Sequence, residues 1–327
     1  ESRIYAEDPY RGFLPSTGRL VRYRPPQENE AVRVDTGVYE GAEISMFYDP
    51  MVAKLCTYGE TRTEAVDRMG EALNRFLVRG IGHNIDFLSA VMAHGRFREG
   101  RLSTNFIAEE YPDGFHGAPV AEETENAMRA VAVAAECAYQ ERNRMISGQT
   151  PVSDRNPPLT AWKVRHDDEA ADADADAVDG GFDVIIGGSR YAVRGALGAG
   201  DPIFGGTVNG KPFPMQMARS GIDCITSIAG AQRRYTVLSR RASELLDRMP
   251  KKQAVDVSKF LLSPMPGLLV SLAVSEGEPV KTGQELAVIE AMKMENVLRA
   301  EKDGTVAKIF VTAGASLTVD QRIIEFE

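Results

Sequence analysis

The chain has 327 residues, a length that corresponds to two or three domains. Its 47 acidic and 38 basic residues give a net charge of -9, which argues against a protein that coats nucleic acid, because phosphates attract basic surfaces. Three distant cysteines without CxxC spacing and four scattered histidines predict neither a disulfide framework nor a metal site. The apolar runs are too short and too interrupted by charges to predict a transmembrane helix.

The first segment, up to a turn at 111–114, has a mixed α/β pattern. Short strands are predicted at 19–23, 31–34 and 43–48. Thr61 and Glu64 form a capping box for a helix whose apolar residues recur at helical spacing, and Gly80 is placed to end it. A second helix is predicted over Ile85–Ala93.

The middle segment begins with a long predicted helix, 122–145, that has a face of small residues. Such a face lets other elements approach closely, so we expect the helix to be enclosed. A loop is predicted at 147–158, and the Asp/Ala run at 167–179 is interpreted as an acidic, solvated loop. Five short strands are predicted, at 162–165, 182–186, 191–194, 224–228 and 234–238. Together they indicate an antiparallel β-barrel around the long helix.

The last segment contains an internal repeat with a constant offset of 37 positions. Gly267 aligns with Gly304, and Val274 aligns with Val311. Each half consists of an alternating strand, a glycine turn and a second strand. The repeat therefore predicts a small, flattened β-barrel with pseudo-twofold symmetry.

Lys293 lies between the two halves of the repeat, where a hairpin turn is predicted. An isolated turn lysine is usually a solvated residue without a special role. Met292 and Met294 flank it, however, and apolar side chains at an exposed tip indicate a surface that a partner recognises. A lysine with a long rotatable stem at this place is a candidate attachment point.

The stretch Ala291-Met292-Lys293-Met294 resembles the signature of biotinyl (biotin carboxyl carrier) domains, within a match over 263–327. This resemblance implies that Lys293 carries covalent biotin and that Met292 and Met294 are part of the cofactor site. The main alternative is a lipoyl-type carrier, a non-enzymatic swinging-arm module. The methionines favour biotin, because lipoyl lysines usually follow an acidic residue.

The segment from Arg3 to Leu14, with the Tyr48–Leu55 stretch, resembles the C-terminal lobe of biotin carboxylase. In that family the matching arginine contacts biotin, which implies a catalytic role for Arg3 in stabilising an oxyanion. The alternative is a structural ion pair of Arg3 with Glu7 or Asp8. The family's sites for ATP, Mg and bicarbonate would precede Arg3, so we expect a longer parent protein.

The order of segments resembles the α subunits of propionyl-CoA carboxylases, with methylcrotonyl-CoA carboxylase α subunits as the nearest alternative. The resemblance implies a multidomain α+β protein, an acyl-CoA carboxylase that forms C–C bonds. Its implied partners are a carboxyltransferase β subunit that binds the acyl-CoA, and biotin protein ligase, in a large hetero-oligomer such as α6β6. The implied compartment is the bacterial cytoplasm or the mitochondrial matrix.

The expected organisation has four parts. They are a carboxylase lobe (1–113), a subunit-docking BT domain with a helix in a barrel (114–250), a linker (251–260) and a carrier domain (261–327).

Overall fold

The first third of the chain is a lobe in which a three-stranded antiparallel sheet packs against helices. The computed structural model describes residues 1–146, 160–198, 200–250, 259–291 and 294–327. The strands of the lobe are β1 (Ser2–Tyr5), β2 (Glu7–Asp8), β3 (Leu14–Pro15), β4 (Gly18–Arg19), β5 (Arg22–Arg24), β6 (Val32–Thr36), β7 (Glu43–Ile44), β8 (Met51–Thr57) and β9 (Leu77–Arg79). Its helices are α1 (Arg62–Arg75), α2 (Ile85–Ala93), α3 (Gly95–Arg98) and α4 (Phe106–Glu110), with a 3-10 turn at Pro9–Arg11. The main sheet has the order β1-β8-β6.

Helix α1 begins as the sequence predicts and ends earlier. The Thr61 hydroxyl accepts a hydrogen bond from the Glu64 amide at 3.2 Å, which caps the helix. The helix ends at Arg75, because the next buried residues form β9, whose Val78 pairs with Tyr23 of β5. Gly80 lies beyond β9 in a left-handed turn with φ of 105°. The predicted end of the helix at Gly80 is therefore wrong.

Two of the three strands predicted in the lobe differ from the structure, whereas the strand predicted at 31–34 corresponds to β6. The strand predicted at 43–48 is limited to β7, and Phe47 and Tyr48 are exposed. The strand predicted at 19–23 is split between β4 and β5. By contrast, the predicted bounds of α2 are confirmed.

The middle segment is an antiparallel sheet curled around helix α5 (Glu122–Arg144). The sheet strands are β10 (Ala161–His166), β11 (Glu169–Val178), β12 (Gly181–Ile186), β13 (Ser189–Arg194), β14 (Ile203–Phe204), β15 (Thr207–Val208), β16 (Lys211–Pro212), β17 (Met215–Ser220), β18 (Asp223–Ile228) and β19 (Ala231–Ser239). They follow the order β14-β17-β18-β19-β10-β11-β12-β13-β15-β16, with β14 and β16 at the edges. The predicted barrel is thus a half-barrel. Helix α6 (Arg240–Arg248) follows it.

Helix α5 lies inside this curled sheet, as its small residues predict. Met128, Ala130 and Val133 are completely buried, and they share a core with Trp162, Val184 and Tyr235 of the sheet. Glu125 anchors the first turn, because its carboxylate accepts from the Arg233 Nε at 2.9 Å and from the Tyr235 hydroxyl.

Strand β11 replaces the acidic loop predicted at 167–179. Ala173 and Ala175 point into the core and are 1% and 4% exposed, while Asp172, Asp174 and Asp176 face solvent. The alternation of Ala and Asp is the two-residue period of a half-buried strand. The loop interpretation is therefore wrong, because the alternation places the aspartates on the solvent face of a strand. The loop predicted at 147–158 lies outside the described residues.

The last segment consists of two four-stranded antiparallel sheets around one core. The strands are β20 (Phe260–Leu262), β21 (Gly267–Leu272), β22 (Pro279–Val280), β23 (Glu285–Ala291), β24 (Met294–Arg299), β25 (Gly304–Ile309), β26 (Ser316–Leu317) and β27 (Arg322–Phe326). One sheet has the order β20-β27-β25-β22, and the other has the order β24-β23-β21-β26. Strands of the two sheets correspond one to one at the repeat offset of 37.

The lobe and the curled sheet meet along α1 and α2. The Gln216 Nε2 donates to the Phe76 carbonyl at 3.0 Å, and the Ser227 hydroxyl donates to the Asp86 carboxylate at 2.8 Å. A core of Phe87, Phe106, Phe115 and Ala231 joins the two parts. No helix in the described part of the chain is long and apolar enough to cross a membrane.

Candidate functional site

The hairpin formed by β23 and β24 lies where the sequence predicts the attachment lysine. The two strands pair from Glu285 opposite Arg299 to Ala291 opposite Met294. The predicted Lys293 and its neighbour Met292 fall between these strands in sequence and lie outside the described residues. Met294 begins β24, and its side chain is also outside them. The assignment of these three residues to a cofactor site stays a prediction.

Strand β23 of the hairpin is buried and closely packed. Leu286, Ala287 and Ile289 are completely buried, and Ala291 is 2% exposed. Gly267 of β21 packs so closely that a Cβ there would lie 2.5 Å from the Ile289 Cγ2. This packing fixes the described ends of β23 and β24, between which Met292 and Lys293 fall in sequence.

An acidic pair borders the end of the hairpin. Glu290 and Glu295 are directly opposite each other in the register, and both are exposed. Like charges in such a pair destabilise a hairpin slightly, by roughly 0.2–1 kcal/mol. The described residues fit a covalently attached cofactor. The strands are buried up to Ala291, and the exposed Glu290 and Glu295 border the two residues, Met292 and Lys293, that join the strands in sequence.

Arg3 lies on β1 and points away from the core of the lobe. Its neighbours Ser2 and Ile4 are buried, whereas its own side chain is 57% exposed. The Arg3 Nε lies 3.2 Å from a Glu1 carboxylate oxygen, and this hydrogen bond, with a smaller contribution from Tyr5, raises the pKa of Arg3. The guanidinium is therefore accessible to a ligand.

The carboxylates considered as structural partners of Arg3 have other surroundings. The Asp8 side chain accepts from the Tyr10 amide at 3.0 Å and caps the 3-10 turn. Burial and the nearby Asp49 raise the pKa of Glu7.

The backbone around Arg3 is held by a residue that the sequence analysis did not single out. The buried Asn84 accepts from the Tyr5 amide at 2.9 Å and donates to the Arg3 carbonyl at 3.1 Å. Its place just before α2 gave no local signal, because its partners are about 80 positions earlier in the chain. Arg3 and the hairpin belong to different domains, and the described residues give no direct contact between them.

Three family models match successive parts of the chain. Residues 1–109 match the biotin carboxylase C-terminal domain, and residues 128–252 match the propionyl-coenzyme A carboxylase BT domain. Residues 259–326 match the family described as biotin-requiring enzyme, so biotin is the cofactor that this domain family implies.

Curated relatives match along the whole chain. The propionyl-CoA carboxylase alpha chain of Ruegeria pomeroyi is 45% identical over all of this chain and 51% of its own length. The mitochondrial propionyl-CoA carboxylase alpha chain of Homo sapiens is 37% identical over all of this chain and 46% of its own. The mitochondrial methylcrotonoyl-CoA carboxylase subunit alpha of Arabidopsis thaliana is 30% identical over 97% of this chain and 48% of its own length.

The chain thus spans about half the length of the curated relatives that it matches. The resemblance to propionyl-CoA carboxylase α subunits and to their three domain types, in this order, is confirmed.

Proposed function

We propose that this chain is the C-terminal portion of the biotin-carrying α subunit of an acyl-CoA carboxylase whose substrate is propionyl-CoA. The observation that carries the proposal is the similarity along the entire chain to propionyl-CoA carboxylase α chains, at 45% identity to one of them. The identity to a methylcrotonoyl-CoA carboxylase subunit is lower, at 30%, so methylcrotonyl-CoA is the alternative substrate.

The proposed division of labour follows the predicted domains. Residues 1–113 form the carboxylase lobe, 114–250 the BT domain, 251–260 the linker and 261–327 the carrier domain. Separate hydrophobic cores in the lobe, in the curled sheet and in the last segment support this division. The matching strand orders of the two carrier sheets, at an offset of 37, support the pseudo-twofold symmetry of the carrier.

In the proposed reaction the residues of this chain present the cofactor and stabilise charge. Bound biotin supplies a ureido nitrogen that accepts a carboxyl group and gives it up again. The Lys293 amine holds it through an amide bond, and the tether raises its effective concentration at both reaction sites. Arg3 offers fixed donors to the negative charge that develops. ATP, Mg and bicarbonate bind upstream in the parent subunit.

Attachment at Lys293 is tested by coexpression with biotin protein ligase. We expect intact mass and peptide mapping to place one biotin on the peptide that contains Lys293, and the Lys293→Arg variant to carry none, because a guanidinium is not a substrate for this amide bond. Lys281→Arg, which changes another lysine of the carrier, is the control and should be biotinylated fully. An unmodified Lys293, or a lipoyl group in place of biotin, contradicts the proposal.

The proposed macromolecular partner is a carboxyltransferase β subunit in a large hetero-oligomer such as α6β6, in bacterial cytoplasm or mitochondrial matrix. We predict that the loop at 147–158, which lies outside the described residues, contacts this partner. Deletion of residues 149–156 should leave biotinylation of Lys293 unchanged and abolish copurification with the β subunit. Assembly with unchanged affinity after the deletion would place the docking surface elsewhere.

A further inference from the structure

The position of the Arg3 side chain depends on the backbone of β1. The side chains that act on its guanidinium, Glu1 and Tyr5, belong to the same short stretch of chain and move together with it. Ile4 is completely buried, and successive side chains of a strand point to opposite faces, so Arg3 points outward. A residue that holds the backbone of β1 therefore also determines where the guanidinium lies.

Asn84 binds β1 on the side that carries no neighbouring strand. Within the described sheet, β1 lies at the edge and pairs with β8 alone. The Asn84 side chain accepts from the Tyr5 amide at 2.9 Å and donates to the Arg3 carbonyl at 3.1 Å, and its backbone amide donates to the Tyr5 carbonyl at 3.2 Å. These three bonds hold β1 as an adjacent strand would. The register with β8 shifts between Ile4 and Tyr5, so Asn84 supports β1 where its pairing is irregular.

Asn84 binds β1 instead of capping its own helix. It is the N-cap residue of α2, a position where an asparagine side chain ordinarily accepts from an amide of the first helical turn. The Asn84 side chain makes no such bond, because its oxygen and its nitrogen are both directed to β1. A missing cap typically costs about 1 kcal/mol of helix stability. A buried side chain that forgoes this local bond for two distant ones indicates a role at β1.

We propose that Asn84 is a positioning residue for Arg3, which fixes the β1 backbone so that the guanidinium lies at one place when negative charge develops on the substrate. The inference rests on the proposed function and deepens it. A donor stabilises a developing oxyanion most when it is oriented beforehand, because no reorientation is then needed during the reaction. The exposed ion pair of Arg3 with Glu1 does not provide this orientation, since water screens such pairs. Asn84 acts on the reaction through Arg3.

Hydrogen exchange in the 327-residue chain tests the contact independently of any activity. The Tyr5 amide should be protected in the unchanged chain, and Asn84→Ala should lower this protection by roughly tenfold, because the amide loses a buried acceptor. Asn74→Ala is the matched control, since the Asn74 side chain accepts from the Ala229 amide at 2.8 Å in a similar long-range contact. It should lower protection at Ala229 and leave Tyr5 unchanged. An unprotected Tyr5 amide, or equal protection in Asn84→Ala, overturns the proposal.

Kinetics of the complete subunit test whether Asn84 acts through Arg3. Asn84→Ala should lower kcat for the carboxylation of free biotin by roughly tenfold, because the catalytic group is misplaced, and leave the KM for ATP unchanged. In the Arg3→Ala background the same substitution should cause no further loss, since the group that it misplaces is absent. Asn74→Ala should lower the melting temperature and leave kcat unchanged. A full additional loss of kcat in the Arg3→Ala background indicates a merely structural role and overturns the proposal.

A second variant, Asn84→Asp, separates loss of positioning from loss of folding. Aspartate has nearly the same shape and keeps an acceptor for the Tyr5 amide, but it places an oxygen opposite the Arg3 carbonyl oxygen. Tyr5 should therefore stay protected while kcat for biotin carboxylation falls. Unchanged kcat in both Asn84→Ala and Asn84→Asp overturns the positioning role. If the complete subunit does not carboxylate biotin, the proposed function fails, and hydrogen exchange at Tyr5 still decides whether Asn84 holds β1.

Discussion

Arg3 is the residue whose proposed role can be separated most clearly from a structural one. Its ion pair with Glu1 is exposed on both sides, at 57% and 44%, and lies within one short stretch of chain. Such pairs contribute little to stability, because water screens them and both side chains lose freedom. The strand around Arg3 is held instead by backbone pairing with Lys54 and by Asn84.

We predict that Arg3→Ala in the complete subunit lowers the rate of biotin carboxylation by about 100-fold or more, the usual effect of losing a donor to an oxyanion. The melting temperature should stay unchanged. Arg33→Ala is a matched control, because Arg33 forms a similar exposed pair with Asp35 at 3.2 Å on the neighbouring part of the same sheet. Rate measurements and thermal melts of both variants check this. A lower melting temperature with normal carboxylation would support a structural role of Arg3.

Among the elements, the turn between β18 and β19 fixes the curled sheet on the lobe. Gly230 in this turn has φ of 80°, and a Cβ there would lie 2.4 Å from the Asp86 carbonyl oxygen of α2. The turn can approach the helix this closely because glycine lacks a side chain. Asn74 strengthens the same contact by accepting from the Ala229 amide at 2.8 Å.

We predict that Gly230→Ala destabilises the junction of the lobe and the sheet. Gly221, in the preceding turn, also has a left-handed backbone, with φ of 63°, but has no atom near its missing Cβ. Gly221→Ala should therefore cost about 1 kcal/mol of unfolding free energy for the backbone alone. Gly230→Ala should cost roughly 2 kcal/mol more, because it also forces the turn away from α2. Urea unfolding of both variants measures the difference, and equal losses would contradict the close-contact argument.

Elements that are specified by a pattern within their own stretch of sequence could be predicted. Helix α2, the enclosed helix α5 and the hairpin strands follow from hydrophobic period, small-residue spacing and the internal repeat. The end of α1 could not be predicted, because Leu77 and Val78 continue the apolar pattern of the helix but gain pairing with β5. For the candidate site, the motifs indicated Arg3 and Lys293. The role of Asn84 depends on partners far away in the chain and leaves no local pattern.

At the scale of the whole molecule, the two junctions between domains differ in strength. The lobe and the curled sheet share an aromatic core and several hydrogen bonds, among them the buried one from Gln216 to the Phe76 carbonyl. The carrier meets the lobe through the hydrogen bond from Arg11 to the Pro264 carbonyl and through Leu14, which packs on the carrier core beside an unfilled gap. We infer that the lobe and the sheet unfold together and that the carrier unfolds by itself.

Calorimetry of the 327-residue chain should therefore show two transitions. The carrier should give the smaller one, because unfolding enthalpy scales with size at about 0.7 kcal/mol per residue. Gly267→Ala, whose Cβ would lie 2.7 Å from the Glu290 carbonyl oxygen, should lower the temperature of the smaller transition and leave the larger one unchanged. A single transition, or an equal shift of both, would show that the carrier is thermodynamically coupled to the rest.

The half-barrel shape has a consequence for self-association. A sheet that does not close on itself has edges, and an exposed edge can add strands from another molecule and start aggregation. Both edge strands in the described sheet contain two residues each. Pro212 within β16 has no N–H to donate, its neighbour Lys211 adds charge, and Pro202 directly precedes β14. The curled sheet can therefore stay open around α5 without offering a long, flat template to a second copy of the chain.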